Sequence, residues 1–207
     1  MNFFKKNFFR FFTCIDIFSI DLENYIPYPE KDLEAFEFIL PDKSYFDRLM
    51  ILYEGSGGNY FEVLTNRFKD PDRYQCFAFQ HKETRKIAYA RWMCYREFYS
   101  DKLKETLFFN ENEALTLNSY TYPEFRKMGL HKEMNSKMLN YIYTHHGINR
   151  VYVLINCFMP HLSKVVKNLG YRKKRTRLYY RKGSLKYYSG RLLSKLFSRH
   201  HCFGWIN

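Results

Sequence analysis

The run Arg126-Lys127-Met128-Gly129-Leu130-His131-Lys132 sets three cations around one glycine, directly after a β-prone stretch that closes on Tyr120-Thr121-Tyr122-Pro123. A turn that enters a helix straight from a strand leaves several backbone N–H groups unpaired at the positive end of the helix dipole, which makes a cradle for a phosphorylated ligand. Gly129 lets the chain come close to such an anion, and Arg126 and Lys127 bring positive side chains to the same mouth. Glu113, at the other end of the stretch, is a carboxylate that shares one strand face with residues 115 and 117 by period-two alternation. Tyr120 and Tyr122 are candidate proton donors. His145 and His146 stand before Gly147, where the dipole favours them as the last residues of a helix rather than as a base or metal ligands. His200, His201 and Cys202 are ligand types without further matched ligands, and no metal is assigned.

These groups need a scaffold, and the hydrophobic pattern supplies one. A short strand at Phe36 to Leu40 is followed by a helix over Lys43 to Tyr53, with Phe46, Leu49, Met50 and Tyr53 on one side. Gln75 to Gln80 and Ile87 to Tyr95 read as a hairpin, and Ala114 to Thr121 as a third strand of the series. Leu130, Met134, Met138, Tyr141 and Ile142 recur at helical spacing. Val151 to Ile155 is the continuous apolar run of a buried strand, and Pro160 opens a helix striped by Leu162, Val165, Val166 and Leu169. A last strand is expected at Thr176 to Arg181, which completes an α/β layered domain.

The chain has 207 residues, enough for one compact domain with arms, and its 46% hydrophobic and 27% charged residues are those of a globular protein. Its charge is uneven. Fifteen Lys and Arg and no Asp or Glu follow Glu133, so the preceding part carries about −2 of a total of +13. A cationic last third implies an anionic partner, a phosphorylated ligand or a membrane surface. The five cysteines are odd in number and widely spaced, which indicates neither a zinc cluster nor a disulfide framework and makes a reducing cytoplasm the default. The start alternates Phe pairs with Lys5, Lys6 and Arg10, so no secretory signal or membrane span is read there. Residues 1–35 are expected to be an arm broken by Pro27 and Pro29, residues 36–182 the folded domain, and residues 183–207 a basic tail. Leu185, Tyr188, Leu192, Leu193, Leu196 and Phe197 with interspersed Lys and Arg give that tail the pattern of a basic amphipathic helix, docked on its own domain or on an anionic membrane.

Thr121 to Leu130 resembles the acyl-CoA binding motif of the GNAT N-acetyltransferase superfamily, in which a strand ends in Val/Thr-x-Pro-x-x-Arg and continues Arg-x-x-Gly-x-Gly/Ala. Arg126 and Gly129 match it in register, and the flanking elements extend the likeness from about Phe36 to Arg181. The resemblance implies a mixed, mostly antiparallel sheet flanked by helices, with amino- and carboxyl-terminal extensions. It also implies acetyl-CoA as acyl donor, held by Thr121, Tyr122, Arg126, Lys127, Met128, Gly129, Leu130, His131 and Lys132. The acceptor is then the primary amine of a small molecule, with an amino sugar suggested by the likeness to members from bacterial surface-polysaccharide gene sets. Glu113 and Tyr120 are the catalytic candidates, although the family pattern sets its carboxylate nearer Leu115. Three positions depart from the pattern: His131 replaces a small residue, Met159 stands where many relatives have Asn, and Val166 where many have a proton-donating Tyr. Two further readings stay open, a nucleic-acid or ribosome-binding basic module and a GNAT-like domain without transfer activity.

Overall fold

The computed structural model describes residues 12–27, 33–54, 60–100, 105–182 and 185–187. Along the chain come β1 (Phe12–Asp21), β2 (Phe36–Ile39), a 3₁₀ turn (Lys43–Tyr45), α1 (Phe46–Glu54), α2 (Phe61–Lys69), β3 (Tyr74–His81) and β4 (Ile87–Tyr95). They are followed by β5 (Glu97–Ser100), β6 (Glu105–Phe108), β7 (Glu113–Thr121), a 3₁₀ turn (Pro123–Phe125) and α3 (Leu130–His146). The last elements are β8 (Arg150–Asn156), α4 (Pro160–Asn168), β9 (Arg172–Lys182) and β10 (Leu185–Tyr187). The architecture is mixed α/β, with mostly antiparallel strands flanked by helices.

The residues fall into two compact units. The larger, residues 21–98 and 107–151, holds four strands in the order β7-β4-β3-β2, antiparallel throughout. Period-two alternation sends Cys76, Ala78, Ala90 and Trp92 into a core with Leu49, Leu52, Tyr53 and Leu64 of α1 and α2. The alternate residues meet α3 on the opposite face. Phe77 packs edge-on against Tyr141, and the Arg91 guanidinium donates to Asn135 Oδ1 at 2.9 Å. With both faces covered, β3 and β4 are buried almost end to end, which is why their sequences read as aromatic and apolar runs. Gly147, at φ +64°, closes α3 at the expected stop.

The smaller unit, residues 1–20, 99–106 and 152–207, carries β10-β9-β1-β8. Here the expectations need correction. The stretch read as an arm contains β1, whose residues Cys14 to Ile20 are buried and which pairs with β9. The strand ends at Asp21, ahead of both prolines in the sequence, and Thr13, Ile15, Ile17 and Ile20 give it β propensity. Cys14 and Cys157 are joined in a disulfide across 143 residues, with Cα atoms 5.6 Å apart. Close spacing in sequence is not required of such a pair, so the cysteine pattern carries no argument for a reducing compartment. Leu185–Tyr187 pairs with β9 as a strand, whereas a helix was expected there, and the rest of the predicted amphipathic segment lies outside the described residues. Sequence periodicity also missed α2, and β5 and β6, which form a small two-stranded sheet. Among the described residues no helix is long and apolar enough to cross a membrane.

Candidate functional site

The site lies in the larger unit, where β7 gives way to α3. The Tyr122 N–H donates to the Ala88 carbonyl at 2.9 Å, so the β4–β7 ladder continues one residue past the strand. Pro123, whose fixed φ suits a helical turn, then starts the 3₁₀ turn. Phe125 anchors this turn by burial, with ring contacts to Phe36 at 5.6 Å and to His81 at 5.5 Å. The chain next passes through two left-handed residues, Lys127 at φ +67° and Gly129 at φ +88°. Glycine adopts this conformation freely and lysine does not, so Lys127 stores strain at the mouth of the helix. Gly129 is the N-terminal cap residue of the 17-residue α3, and the Lys132 and Glu133 N–H groups already bond to its carbonyl. The N–H groups ahead of them are left to face outward, as at any helix start.

The predicted binding residues do not all point the same way. Lys127, Met128 and Lys132 are exposed at the turn. Arg126 folds back over the strand end, donating from Nε to the Thr121 carbonyl and from Nη2 to the Tyr120 hydroxyl, both at 3.3 Å, with its guanidinium 5.7 Å from the Tyr120 ring centre. The Leu130 side chain is buried in the core, so only its backbone faces the turn. His131 also turns inward. Its Nδ1 lies 2.8 Å from the Tyr89 hydroxyl, and burial, with a smaller effect of the Arg91 charge, pulls the imidazole down to about 4, so it is neutral at physiological pH. Burial pushes the Tyr89 phenol up, against the opposing influence of Arg91 and Ser119. Tyr122 packs against the α1/α2 core, with the Lys86 ammonium 5.8 Å from its ring centre.

Glu113 is not brought to this site. It starts β7 while Tyr120 lies near its end, about 20 Å away at the rise of an extended strand. Its carboxylate accepts from Asn110 N at 3.2 Å, from Asn110 Nδ2 at 3.0 Å and from Arg150 Nη1 at 3.4 Å. These partners hold it in place, which suits a structural role better than proton abstraction at the strand's far end. Of the family departures, Val166 is buried and Met159 is the half-exposed cap residue of α4, both in the smaller unit.

A feature that sequence reading missed sits in the middle of β7. The register with β4 passes from Leu117↔Trp92 to Tyr120↔Ala90, so Asn118 and Ser119 together oppose Arg91 in a β-bulge. Asn118 takes φ +42°, a conformation asparagine tolerates better than most residues. Tyr53 of α1 donates to the Asn118 carbonyl at 2.9 Å, Arg67 Nη2 of α2 donates to Asn118 Oδ1 at 2.5 Å, and the Asn118 amide lies 3.4 Å from the Tyr60 hydroxyl. The Asn-Ser pair inside a β-prone run was the only legible sign of the bulge, and nothing in the sequence pointed to Arg67.

Solved structures with the same fold include acetyltransferases. A tandem GNAT protein from the clavulanic acid biosynthesis pathway superposes with a TM-score of 0.60 at 12% identity, over 81% of this chain and 52% of its own length. The chain has the GNAT fold. An aminoglycoside N-acetyltransferase in complex with CoA superposes with a TM-score of 0.57 at 13% identity, over 77% of this chain and 99% of its own length. A GCN5-related N-acetyltransferase from Sphaerobacter thermophilus gives a TM-score of 0.54 at 12% identity, over 82% of this chain and 51% of its own. The chain thus spans about half the length of the tandem protein and of the Sphaerobacter enzyme, and nearly all of the aminoglycoside enzyme. No family model and no curated protein matches the sequence.

Proposed function

We propose that this chain is an acyl-CoA-dependent N-acetyltransferase, with Arg126 to Lys132 as the acyl-donor site and a primary amine as acceptor. The observation that carries the reading is the junction itself: a strand end, a left-handed Gly129 capping a long helix, and Lys127 and Lys132 exposed beside its unpaired N–H groups. These residues suit a pyrophosphate, which takes backbone N–H donors at close range and cations around them. When bound, acetyl-CoA supplies an acetyl thioester whose acetyl group passes to the amine, giving an amide and the CoA thiol. The chain's part is to hold and orient that thioester along the end of β7, beside the Asn118–Ser119 bulge.

Tyr120 is the proton donor in this proposal. Its oxygen accepts from Arg126, which leaves its own O–H to be given to a departing sulfur. Glu113 has no part in the transfer, for the distance given above. The amino sugar, linked to a nucleotide or lipid, remains the acceptor class that the sequence resemblance suggests, and the aminoglycoside enzyme of the same fold is consistent with an amine on a sugar ring.

The exposed Arg172, Lys173 and Lys174 of β9 favour a second reading, contact with an anionic polymer such as nucleic acid. Titration calorimetry with acetyl-CoA, CoA and a single-stranded oligonucleotide separates the two. Acetyl-CoA is expected to bind wild type and to bind Gly129→Val at least about tenfold more weakly, because a β-branched residue is strained at this φ and crowds the anion. Equal binding by both proteins, or binding of the oligonucleotide alone, overturns the assignment.

A further inference from the structure

Arg67 is a cation buried in the core of the larger unit, only 6% exposed, and among the described residues no carboxylate pairs with it. Its guanidinium is covered by ring faces, 5.1 Å from the Trp92 centre and 5.8 Å from that of Tyr74, and Nη1 has no hydrogen-bond partner. Burying a charge in this way is expensive unless something is gained locally. Its one side-chain hydrogen bond goes to Asn118 Oδ1, the residue that makes the β7 bulge. Tyr53, itself fully buried and stacked on Tyr60 at 4.6 Å, fixes the carbonyl of that same residue.

The geometry points to Arg67 as a positioning residue that, with Tyr53, clamps the Asn118–Ser119 bulge in the orientation acyl transfer requires. The two bonds act on different parts of Asn118. One holds the side chain and so maintains the left-handed φ; the other holds the carbonyl and so sets the plane of the peptide that joins Asn118 to Ser119. In a trans peptide the C=O and N–H point in opposite directions, so fixing the Asn118 carbonyl also fixes the aim of the Ser119 N–H. Both clamping residues belong to α1 and α2, whose remaining contacts are with the core on one face of the sheet. The helix pair thereby sets the register of a strand segment against which its core also packs, through Leu117 and Tyr120. This inference rests on the acyl-transfer reading for its consequence in rate, and on geometry alone for the clamp.

The test uses the full chain as wild type, Arg67→Met, Arg67→Lys, Asn118→Gly and the Arg67→Met/Asn118→Gly double variant. Thiol release from acetyl-CoA with glucosamine as probe amine gives kcat and KM, and amide hydrogen exchange reports on residues 117–121. Arg67→Met is expected to lower kcat by about 10²-fold with the KM for acetyl-CoA within about threefold of wild type, because misplacing an activating donor by about 1 Å costs that much. Exchange in 117–121 should quicken more than in the rest of β4 and β7. Arg67→Lys should recover part of kcat, and the double variant should be no worse than the poorer single one, since both remove the same contact. Asn118→Gly tolerates positive φ and keeps the test open where Arg67→Met does not fold. Unchanged exchange in 117–121, or loss of stability with kcat unchanged, overturns the clamp. A wild type that neither binds nor cleaves acetyl-CoA overturns the transfer reading instead, and the exchange pattern then decides the clamp by itself.

Discussion

The part-buried His131 should make this protein less stable in mild acid by an amount that can be worked out. Free imidazole titrates at 6.5 and His131 in the fold at about 4. Between those values the unfolded chain binds a proton that the folded chain refuses, so stability falls as the pH drops below about 6.5 and levels off below about 4. At about 1.4 kcal/mol per unit the whole swing is about 3 kcal/mol, of which about 2 kcal/mol is lost by about pH 5. Substitution by Gln keeps a polar partner for the Tyr89 hydroxyl and removes the titration. Urea unfolding of wild type and His131→Gln, followed from about pH 7.5 to about pH 5, isolates the effect, because His146 and the carboxylates contribute alike to both. The wild-type curve should fall by about 2 kcal/mol more than that of the variant. Parallel curves would refute the part-buried neutral imidazole, and with it the inward orientation of His131 beneath the start of α3.

Two substitutions separate support from chemistry. Gly147→Ala meets no atom within 4 Å, so its cost is the left-handed backbone alone, about 1 kcal/mol of stability in thermal or urea unfolding, with acetyl-CoA binding unchanged. Glu113→Gln removes a charge that meets Arg150 and Asn110; it should cost about 1–2 kcal/mol of stability and leave the pH dependence of kcat as in wild type. A restored rate at high pH in that variant would return Glu113 to the role of base.

What the sequence disclosed and what it concealed divide along a physical line. The hairpin of β3 and β4, helix α3 and the turn before it were legible because each is specified locally, by aromatic β-prone runs, by apolar residues at helical spacing, and by a glycine where the chain must turn left-handed. The orientation of His131 was not legible, since the same imidazole satisfies a helix start whether it faces outward or meets Tyr89 on β4, forty-two residues earlier. Strand β1 was obscured by the prolines that follow it. The place of Glu113 was not legible because period-two alternation assigns a face but not a distance along the strand, and the far end of β7 is a different place chemically from its start.

The bulge shows why the catalytic detail of such a site is the last thing a sequence yields. Inserting one residue into β7 changes which side chains oppose Arg91, and it needs no special residue beyond an asparagine that tolerates positive φ. What determines that the insertion stays at Asn118 lies elsewhere, in a tyrosine of α1 and an arginine of α2 separated from it by 65 and 51 residues. Each would pass in sequence as an ordinary helical residue. Their partnership exists only once the helices are laid across β3 and β4, so the precision of the proposed site is a property of tertiary packing, and the motif at Arg126 to Lys132 states only where, in this proposal, a ligand is to be held.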